Sequence, residues 1–320
     1  MKEPKISIVI VNYNGKSLLD TLLKSISKLT YKNYEIIVVD NNSADGSRDF
    51  IRTNFKKVKI IENKSNLGYS GINSVIRHCK GDYILFLNND MELEKNSLKE
   101  LVKTIESDKD CVLAAPRLVN FYDKNIKSGG TWLSRAFYSG HIRGTGKEKT
   151  MEIPYMGVGL IRKDFVRMFG YLFDPDYFIY GEDVDLGLRI RLTGKKTLFE
   201  PKSIMHHMHS VTMQKKSKAF STYLMERNLL ITFFKILSVK NLILYMPYLK
   251  FARLIAIIRD ILSLRFDLAF ARIKAHFWVL FNFNKFLIKR NETQKFRKAD
   301  DNYILRVFSE KYIFKKKFNV

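Results

Sequence analysis

Short apolar runs, each closed by a polar cluster, recur along the front of the chain. Ile6-Ser7-Ile8-Val9-Ile10-Val11 ends in Asn12-Tyr13-Asn14-Gly15. Glu35-Ile36-Ile37-Val38-Val39 ends in Asp40-Asn41-Asn42-Ser43, and Ile84-Leu85-Phe86-Leu87 ends in Asn88-Asn89-Asp90. A continuous apolar run, rather than an alternating one, predicts a strand buried on both faces. Val58 to Ile61 adds a further strand. Between the runs, Leu18, Leu19, Leu22, Leu23 and Ile26 repeat at helical spacing. Helices are expected over Ser17 to Leu29, from Ser47 to Asn54, and from Asn66-Leu67-Gly68-Tyr69-Ser70 to Cys79. Strands alternating with helices predict an α/β fold with a parallel, doubly wound sheet. Three polar strand ends then fall on one sheet edge, where open α/β sheets bind their ligands.

The pattern loosens between Cys111 and Pro154. Val112 to Ala115 predicts a strand, and Gly129-Gly130, Gly140, Gly144 and Gly146 predict a loop or short hairpin near that face. Order returns at Met156-Gly157-Val158-Gly159-Leu160-Ile161-Arg162, followed by a helix over Lys163 to Met168. The aromatic run Tyr177-Phe178-Ile179-Tyr180 leads into Gly181-Glu182-Asp183-Val184-Asp185 and a helix to Leu192, closed by Gly194. Its periodicity places Leu186 and Ile190 inward and Arg189 and Arg191 outward. A strand over Lys195 to Phe199 comes next, and Ile204-Met205-His206-His207-Met208-His209-Ser210 follows Pro201.

Each polar cluster has a plain reading and a chemical one. Asp90 either caps a helix expected from Leu93 to Ile105 or, with neighbouring oxygens, holds a hard divalent cation carrying a diphosphate. Glu182, Asp183 and Asp185 are either the acidic decoration of a first helical turn or a reactive group, and the helix macrodipole favours an ionised Asp183. His206, His207 and His209 crowd together in a chain with 6 histidines. A lone histidine is most often structural, whereas a cluster at a strand end opens a metal or phosphate role.

Composition sharpens this picture at two points. With 320 residues, 46% of them apolar, there is material for one large domain or two smaller ones. Cys79 and Cys111 are the only cysteines, which excludes a disulfide scaffold or cysteine zinc site and fits a reducing compartment. Ile6 to Val11 is too short for a signal peptide, so a cytoplasmic start is expected.

The net charge of +24 is unevenly placed: residues 215–320 hold 23 Lys or Arg against 7 Asp or Glu, and residues 1–214 hold 33 against 25. A tail this basic, and rich in Phe, Leu and Ile, is open to nucleic acid or to an anionic membrane. Helices are expected over Tyr223 to Leu237, Asn241 to Leu264 and Phe266 to Phe286. Lys250, Arg253, Arg259, Arg265, Arg272 and Lys274 interrupt them, so none offers the uncharged run of about 18 residues that a spanning helix needs. Trp278 and Phe281 among these cations suit a membrane interface; a helical subdomain packed on the front part or on a second subunit is the alternative. Lys315-Lys316-Lys317 is expected to be a solvated end.

The clusters together resemble glycosyltransferase family 2, most closely its rhamnosyltransferase-like branch. The matching stretches are Val11 to Gly15, Val39 to Ser43, Asn66-Leu67-Gly68 with Asn73, and Leu87 to Asp90. Gly157-Val158-Gly159 with Ile161-Arg162, and Gly181 to Leu186, complete the order over residues 5–212. The resemblance implies a GT-A catalytic domain over residues 1–214, a nucleotide-sugar donor, a divalent cation (Mg²⁺ or Mn²⁺) and inversion at the anomeric carbon. Residues 215–320 follow as a helical, basic extension. By position the resemblance assigns donor binding to Asn12, Tyr13, Asn14, Asp40 and Asn42, with Tyr13 near the base and Asp40 on the base edge. It extends donor binding to Gly68, Asn73, Asn88, Asn89 and Asp90. Asp90 matches the last carboxylate of the metal-binding DxD motif. His207, followed by Ser210 and Thr212, matches a His-x-x-Ser-x-Thr pattern associated with metal and diphosphate, with His206 and His209 as alternatives. Asp183 matches the catalytic base, and Glu182 and Gly159 the acceptor side. The first acidic position of DxD is Asn88 here, which leaves one carboxylate for the cation and implies weaker metal binding.

The resemblance therefore leads us to expect an inverting transferase at the inner face of the cell membrane. It would use a dTDP- or UDP-sugar, rhamnose being the sugar the branch suggests, and a glycan or lipid-linked saccharide acceptor. Homo-oligomerisation stays open. A nucleic-acid-binding protein built on the basic tail leaves the polar strand ends without a role, and no recognised nucleic-acid motif occurs. A nucleotidyltransferase on a similar sheet would need Gly, Arg or Lys gripping phosphate from the Asn12–Gly15 loop, which offers only Lys16 just beyond it.

Overall fold

A computed structural model describes residues 3–208 and 217–311. Strands β1 (Ile6–Asn12), β2 (Tyr34–Asp40), β3 (Lys59–Glu62) and β4 (Tyr83–Asn88) form a parallel block in the order β3-β2-β1-β4. They are linked by α1 (Lys16–Ser27), α2 (Ser47–Asn54) and a 3₁₀ segment, Gly68–His78. Alternate residues feed two cores. Ile8, Ile10 and Val38 pack with Leu19 and Leu22 of α1, whereas Val9, Ile37 and Val39 pack with Ile72 and Val75 of the 3₁₀ segment. Layers on both faces are why these strands read as continuous apolar runs.

Beyond this block the sheet is mixed, not wholly parallel. β11 (Gly159–Arg162) runs antiparallel between β4 and β6 (Cys111–Asn120), and β12 (Lys196–His207) runs parallel to β6. A parallel neighbour needs a crossover, usually a helix. The chain reaches β11 instead through β7 (Ile126–Ser128), the hairpin of β8 (Thr131–Leu133) and β9 (Ser139–His141), and β10 (Met151–Ile153). The strand expected over Lys195 to Phe199 continues past Pro201 to His207 as β12, whose register shifts between Glu200 and Ile204. Proline removes a ladder donor, and the irregularity accommodates it.

The helix expected from Leu93 starts later. Met91–Leu93 form β5, paired antiparallel with Met205–His207 of β12, and α3 spans Ser97–Ser107. β12 takes the backbone of these residues into the sheet, so Asp90 caps no helix.

After α4 (Lys163–Phe169), helix α5 spans Glu182–Leu192. Arg189 and Arg191, expected to face outward, are buried. Arg189 donates to Asp185 at 2.7 Å and to the Leu172 carbonyl at 2.5 Å. Arg191 donates to the Ile304 carbonyl at 3.0 Å and pairs with Glu152. Helical periodicity shows one apolar face; it does not show that α6 (Lys218–Ile236) and α10 (Asp301–Leu305) cover the other.

The remaining helices are α7 (Val239–Leu262), α8 (Phe266–Phe281) and α9 (Phe283–Gln294), the last two replacing the single helix expected over Phe266 to Phe286. Leu229, Phe233 and Ile236 of α6 share a core with Val184, Leu188 and Leu192 of α5. At 24 residues, with an 18-residue stretch holding at most two charged side chains, α7 is long and apolar enough to cross a membrane by length and composition. Lys250 and Arg253 interrupt it as expected, so it contains no uncharged run of about 18 residues. Cys79 and Cys111 are buried and unpaired. His209, Ser210, Thr212 and Lys315–Lys317 lie outside the described residues.

Candidate functional site

The three polar strand ends lie level. Asn12 is in register with Asp40, and Val11 with Asn88. A hydrogen-bond chain crosses this edge: Asn89 Nδ2 donates to Asn12 Oδ1 at 2.8 Å, and Asn12 Nδ2 donates to Asp40 Oδ2 at 3.0 Å. Asp40 Oδ1 accepts the Ser43 backbone N–H at 2.9 Å and lies 3.8 Å from Arg48 Nε. Asn12 and Asp40 are wholly buried, so they tie the strand ends together from beneath.

Other positions singled out from sequence also serve the frame. Asn14 and Asn42 are exposed and left-handed, at φ 50° and 63°, a conformation asparagine tolerates better than most residues. Asn14 Oδ1 accepts the Ala44 N–H at 2.8 Å, which joins the two loops. The Asn73 amide donates to the Phe173 carbonyl at 2.7 Å and accepts the Leu172 N–H at 2.9 Å. Gly159 is buried in β11, where a Cβ would stand 2.5 Å from the Ala114 carbonyl oxygen.

In front of this edge lies a cavity of about 700 Å³. Tyr13, Gly68, Asn88, Asn89, Asp90 and His207 line it from the strand ends, and Glu182 and Asp183 line it from the first turn of α5. Gly68 is at φ 62°, and a Cβ there would fall 1.9 Å from the Phe178 carbonyl oxygen, so the close approach of these two loops requires glycine.

Pairing of β5 with β12 sets His207 opposite Met91 and brings its Nε2 to 3.1 Å from Asp90 Oδ1. His206 projects from the other face of the strand, as alternation demands, and meets Glu94 at 3.2 Å. Of these two histidines, His207 lines the cavity and His206 does not.

Helix α5 is entered through Tyr180 at φ 68° and Gly181 at φ 81°. A left-handed tyrosine is strained. Asn228 of α6 holds it by donating to the Ile179 carbonyl at 3.1 Å and the Tyr180 carbonyl at 2.6 Å. Burial pushes the Asp183 carboxyl up to about 6, against the pull of the backbone N–H groups of Val184 and of Asp183 itself. Burial outweighs the helix-start effect that favours ionisation. Burial, and then the charge of Asp183, push Glu182 well above the ordinary carboxylate range. Its Oε2 has no hydrogen-bond partner among the described residues. The half-buried Tyr69 phenol is raised first by burial and then by Asp90, Glu182 and Asp183, a sign that three carboxylates converge on this cavity.

Among the described residues, no Lys or Arg lines the cavity. A diphosphate entering so acidic a space needs a cation with it. Asp90 Oδ1 and His207 Nε2 fit one that completes its shell with phosphate oxygens and water, as Mg²⁺ and Mn²⁺ do at phosphate sites. Among the described residues, no group of three acidic, histidine or cysteine side chains gathers anywhere, so any such ion rests on few protein ligands.

Sequence reasoning did not single out Tyr155, Met156, Phe178, Tyr180 and His141, all of which line the cavity. The aromatic run ahead of Glu182 is a signal for Phe178 and Tyr180, and the glycine-rich stretch is one for the hairpin carrying His141. Tyr155 has no such signal.

Known proteins resemble the chain in both sequence and fold. The model of glycosyl transferase family 2 matches residues 7–166. An amylovoran biosynthesis glycosyltransferase of Erwinia amylovora is 29% identical over 142 residues, 42% of this chain and 46% of that protein. The alignment therefore spans less than half of that relative's length. A dolichyl N-acetyl-alpha-D-glucosaminyl phosphate 3-beta-D-2,3-diacetamido-2,3-dideoxy-beta-D-glucuronosyltransferase of Methanococcus voltae is 23% identical over 240 residues, 71% of this chain and 74% of that protein. In fold, the crystal structure of GalNAc-T7 with UDP, GalNAc and Mn²⁺ superposes with a TM-score of 0.61 at 21% identity, covering 72% of this chain and 48% of that one.

Proposed function

The chain belongs to glycosyl transferase family 2, and we propose that it transfers a sugar from a nucleotide-diphosphate donor to a hydroxyl of a glycan or lipid-linked saccharide, with inversion. The observation that carries this reading is Asp183, a half-buried carboxylate raised to about 6 at the cavity wall. A base must be mostly ionised at the working pH yet still attract a proton, and a carboxyl near 6 meets both demands.

In the proposed step the acceptor oxygen forms a bond to the anomeric carbon while its proton passes to Asp183. The bond from that carbon to the donor's diphosphate oxygen breaks, and the nucleoside diphosphate leaves with the electron pair. Asp90 and His207 would hold a divalent cation, which would supply charge neutralisation for the departing diphosphate. Asn88 and Asn89 present amides from the β4 end, and Tyr13 presents a ring for the base. Glu182, whose proton affinity burial raises, offers its carboxyl for a hydrogen bond on the acceptor side. Asn12, Asp40, Asn14, Asn42 and Asn73 act by holding the donor-side loops. Residues 1–214 carry the reaction and residues 215–320 dock it.

Support for a UDP-type donor with Mn²⁺ comes from the complex captured in GalNAc-T7. The dolichyl N-acetyl-alpha-D-glucosaminyl phosphate in the name of the Methanococcus voltae protein supports a lipid-linked saccharide acceptor. Thermal unfolding with a panel of nucleoside diphosphates and nucleotide sugars, dTDP-rhamnose included, tests the reading. Ligand binding to the native state alone raises the melting temperature. A rise with UDP or dTDP compounds that requires Mn²⁺ or Mg²⁺ and disappears in Asp90→Ala is expected. No rise with any nucleotide contradicts the proposal.

A further inference from the structure

Where α6, α7 and α8 meet, charged side chains are buried among small apolar ones such as Ala256, Ala271 and Ala275: Arg253 lies 2.7 Å from Glu226, and Arg272 bridges Glu226 to Asp260. Their outward faces are apolar. On α7, Ile243, Leu244, Phe251, Leu254, Ile255 and Ile258 are exposed, a stripe at helical spacing along roughly 22 Å of helix. On α8, Phe266, Phe270, Phe277, Leu280 and Phe281 form a second exposed stripe. A hairpin that faces only water turns polar side chains outward, and a patch of this extent marks an interaction surface.

The unpaired charges on this surface are mainly basic. Lys240, Lys250 and Lys274 are exposed and form no ion pair among the described residues, and Asp267 is the single exposed acid on α7 and α8. Lys250 discriminates between occupants. It stands in the middle of α7, beside Phe251. Pressed against a second copy of the chain it would be desolvated without an acid to meet it. At a bilayer its long stem reaches the headgroups while its neighbours stay in the acyl boundary.

We infer that the α7–α8 hairpin docks into the interface of a lipid bilayer carrying anionic headgroups. The Phe and Leu stripes enter the acyl boundary, and Lys240, Lys250 and Lys274 meet lipid phosphates. The same helix is bolted to the cavity. Tyr138 Oη donates to the Ala252 carbonyl at 3.1 Å, Arg253 donates to the Ala136 carbonyl, and the next residues, Ser139 and Gly140, line the cavity. Docking therefore anchors one cavity wall at the bilayer. Vesicle binding is measured without transfer, so it can fail while the proposed reaction stands.

Flotation of the full chain with vesicles of phosphatidylcholine, with and without phosphatidylglycerol, provides the test. The variants are Phe251→Glu with Leu254→Glu, and Phe277→Glu with Phe281→Glu, at positions 63%, 52%, 53% and 81% exposed and therefore tolerant of polar replacement. Circular dichroism and melting temperature verify their fold. The wild type is expected to float with phosphatidylglycerol vesicles, less so at high salt, and each double variant is expected to bind more than about tenfold more weakly. Wild-type chain that stays unbound, or variants that float as well as wild type, overturns the inference. So does a wild-type dimer in light scattering that both double variants convert to monomer without any vesicle binding.

Discussion

Helix α5 opens with three carboxylates that meet opposite surroundings. Asp185 is buried against cations, with Arg189 Nε at 2.7 Å and Lys235 Nζ at 2.6 Å. Lys235 also reaches Asp174 at 2.7 Å, and Lys289 closes the group. Glu182 and Asp183, within the same turn and dipole, face a cavity with no Lys or Arg among its described lining. Burial with cations keeps a carboxylate charged and makes it part of the scaffold. Burial without them raises its proton affinity and leaves it available for chemistry. The two sides of one helical turn thus divide fold from function.

The largest effect is expected on the paired side. Lys235→Met leaves Asp174 and Asp185 undercompensated in the interior and should cost roughly 3–5 kcal/mol of stability in denaturant titration. On the cavity side, Gly68→Ala forces a left-handed alanine toward the Phe178 carbonyl and should cost roughly 2 kcal/mol. Its effect on nucleotide binding should exceed that of Lys235→Met once both are folded. The pH profile sharpens the contrast further. Asp183 must be ionised to act, so transfer should fall about tenfold per unit as pH drops below about 6. Glu182→Gln should move that midpoint little, because burial and not the charge of Glu182 raises the Asp183 carboxyl; a large shift would show that the pair titrates together. The smallest effect concerns stability. The folded Asp183 carboxyl lies near 6 against an ordinary 3.8, so the native state holds its proton more tightly, and stability declines as pH rises between those values. Linkage between those values sets a ceiling of about 3 kcal/mol. Asp183 is only half-buried, so solvent screening lowers it, and Asp183→Asn should recover about 1 kcal/mol at neutral pH and nothing at pH below about 3.5.

Much of the front was legible because local pattern and global fold agree there. Apolar runs with polar ends became β1, β2 and β4, and their register brought Asn12, Asp40 and Asn88 to one edge. The failures share a cause: long-range pairing and covering that no local pattern records. β12 drew Met91–Leu93 into the sheet, the Phe169–Leu172 segment hid Arg189 and α10 hid Arg191, and the helix-free stretch ahead of β11 turned that strand antiparallel. The choice between His206 and His207 rests on strand alternation and the β5 pairing, neither of which is visible in the histidine cluster itself. The tail was legible only in charge and apolar content, because its arrangement of buried charges under an apolar outer face emerges once Arg253, Glu226 and Asp260 are seen to meet.

The central claim is that Asp183 is the base of a donor-binding cavity and not part of its scaffold. The most direct measurement compares wild type with Asp183→Asn for nucleotide-induced thermal stabilisation and for sugar transfer in the same preparation. The account predicts unchanged nucleotide stabilisation and transfer reduced by roughly 10²–10⁴. Transfer that survives in Asp183→Asn contradicts it, whatever the nucleotide does.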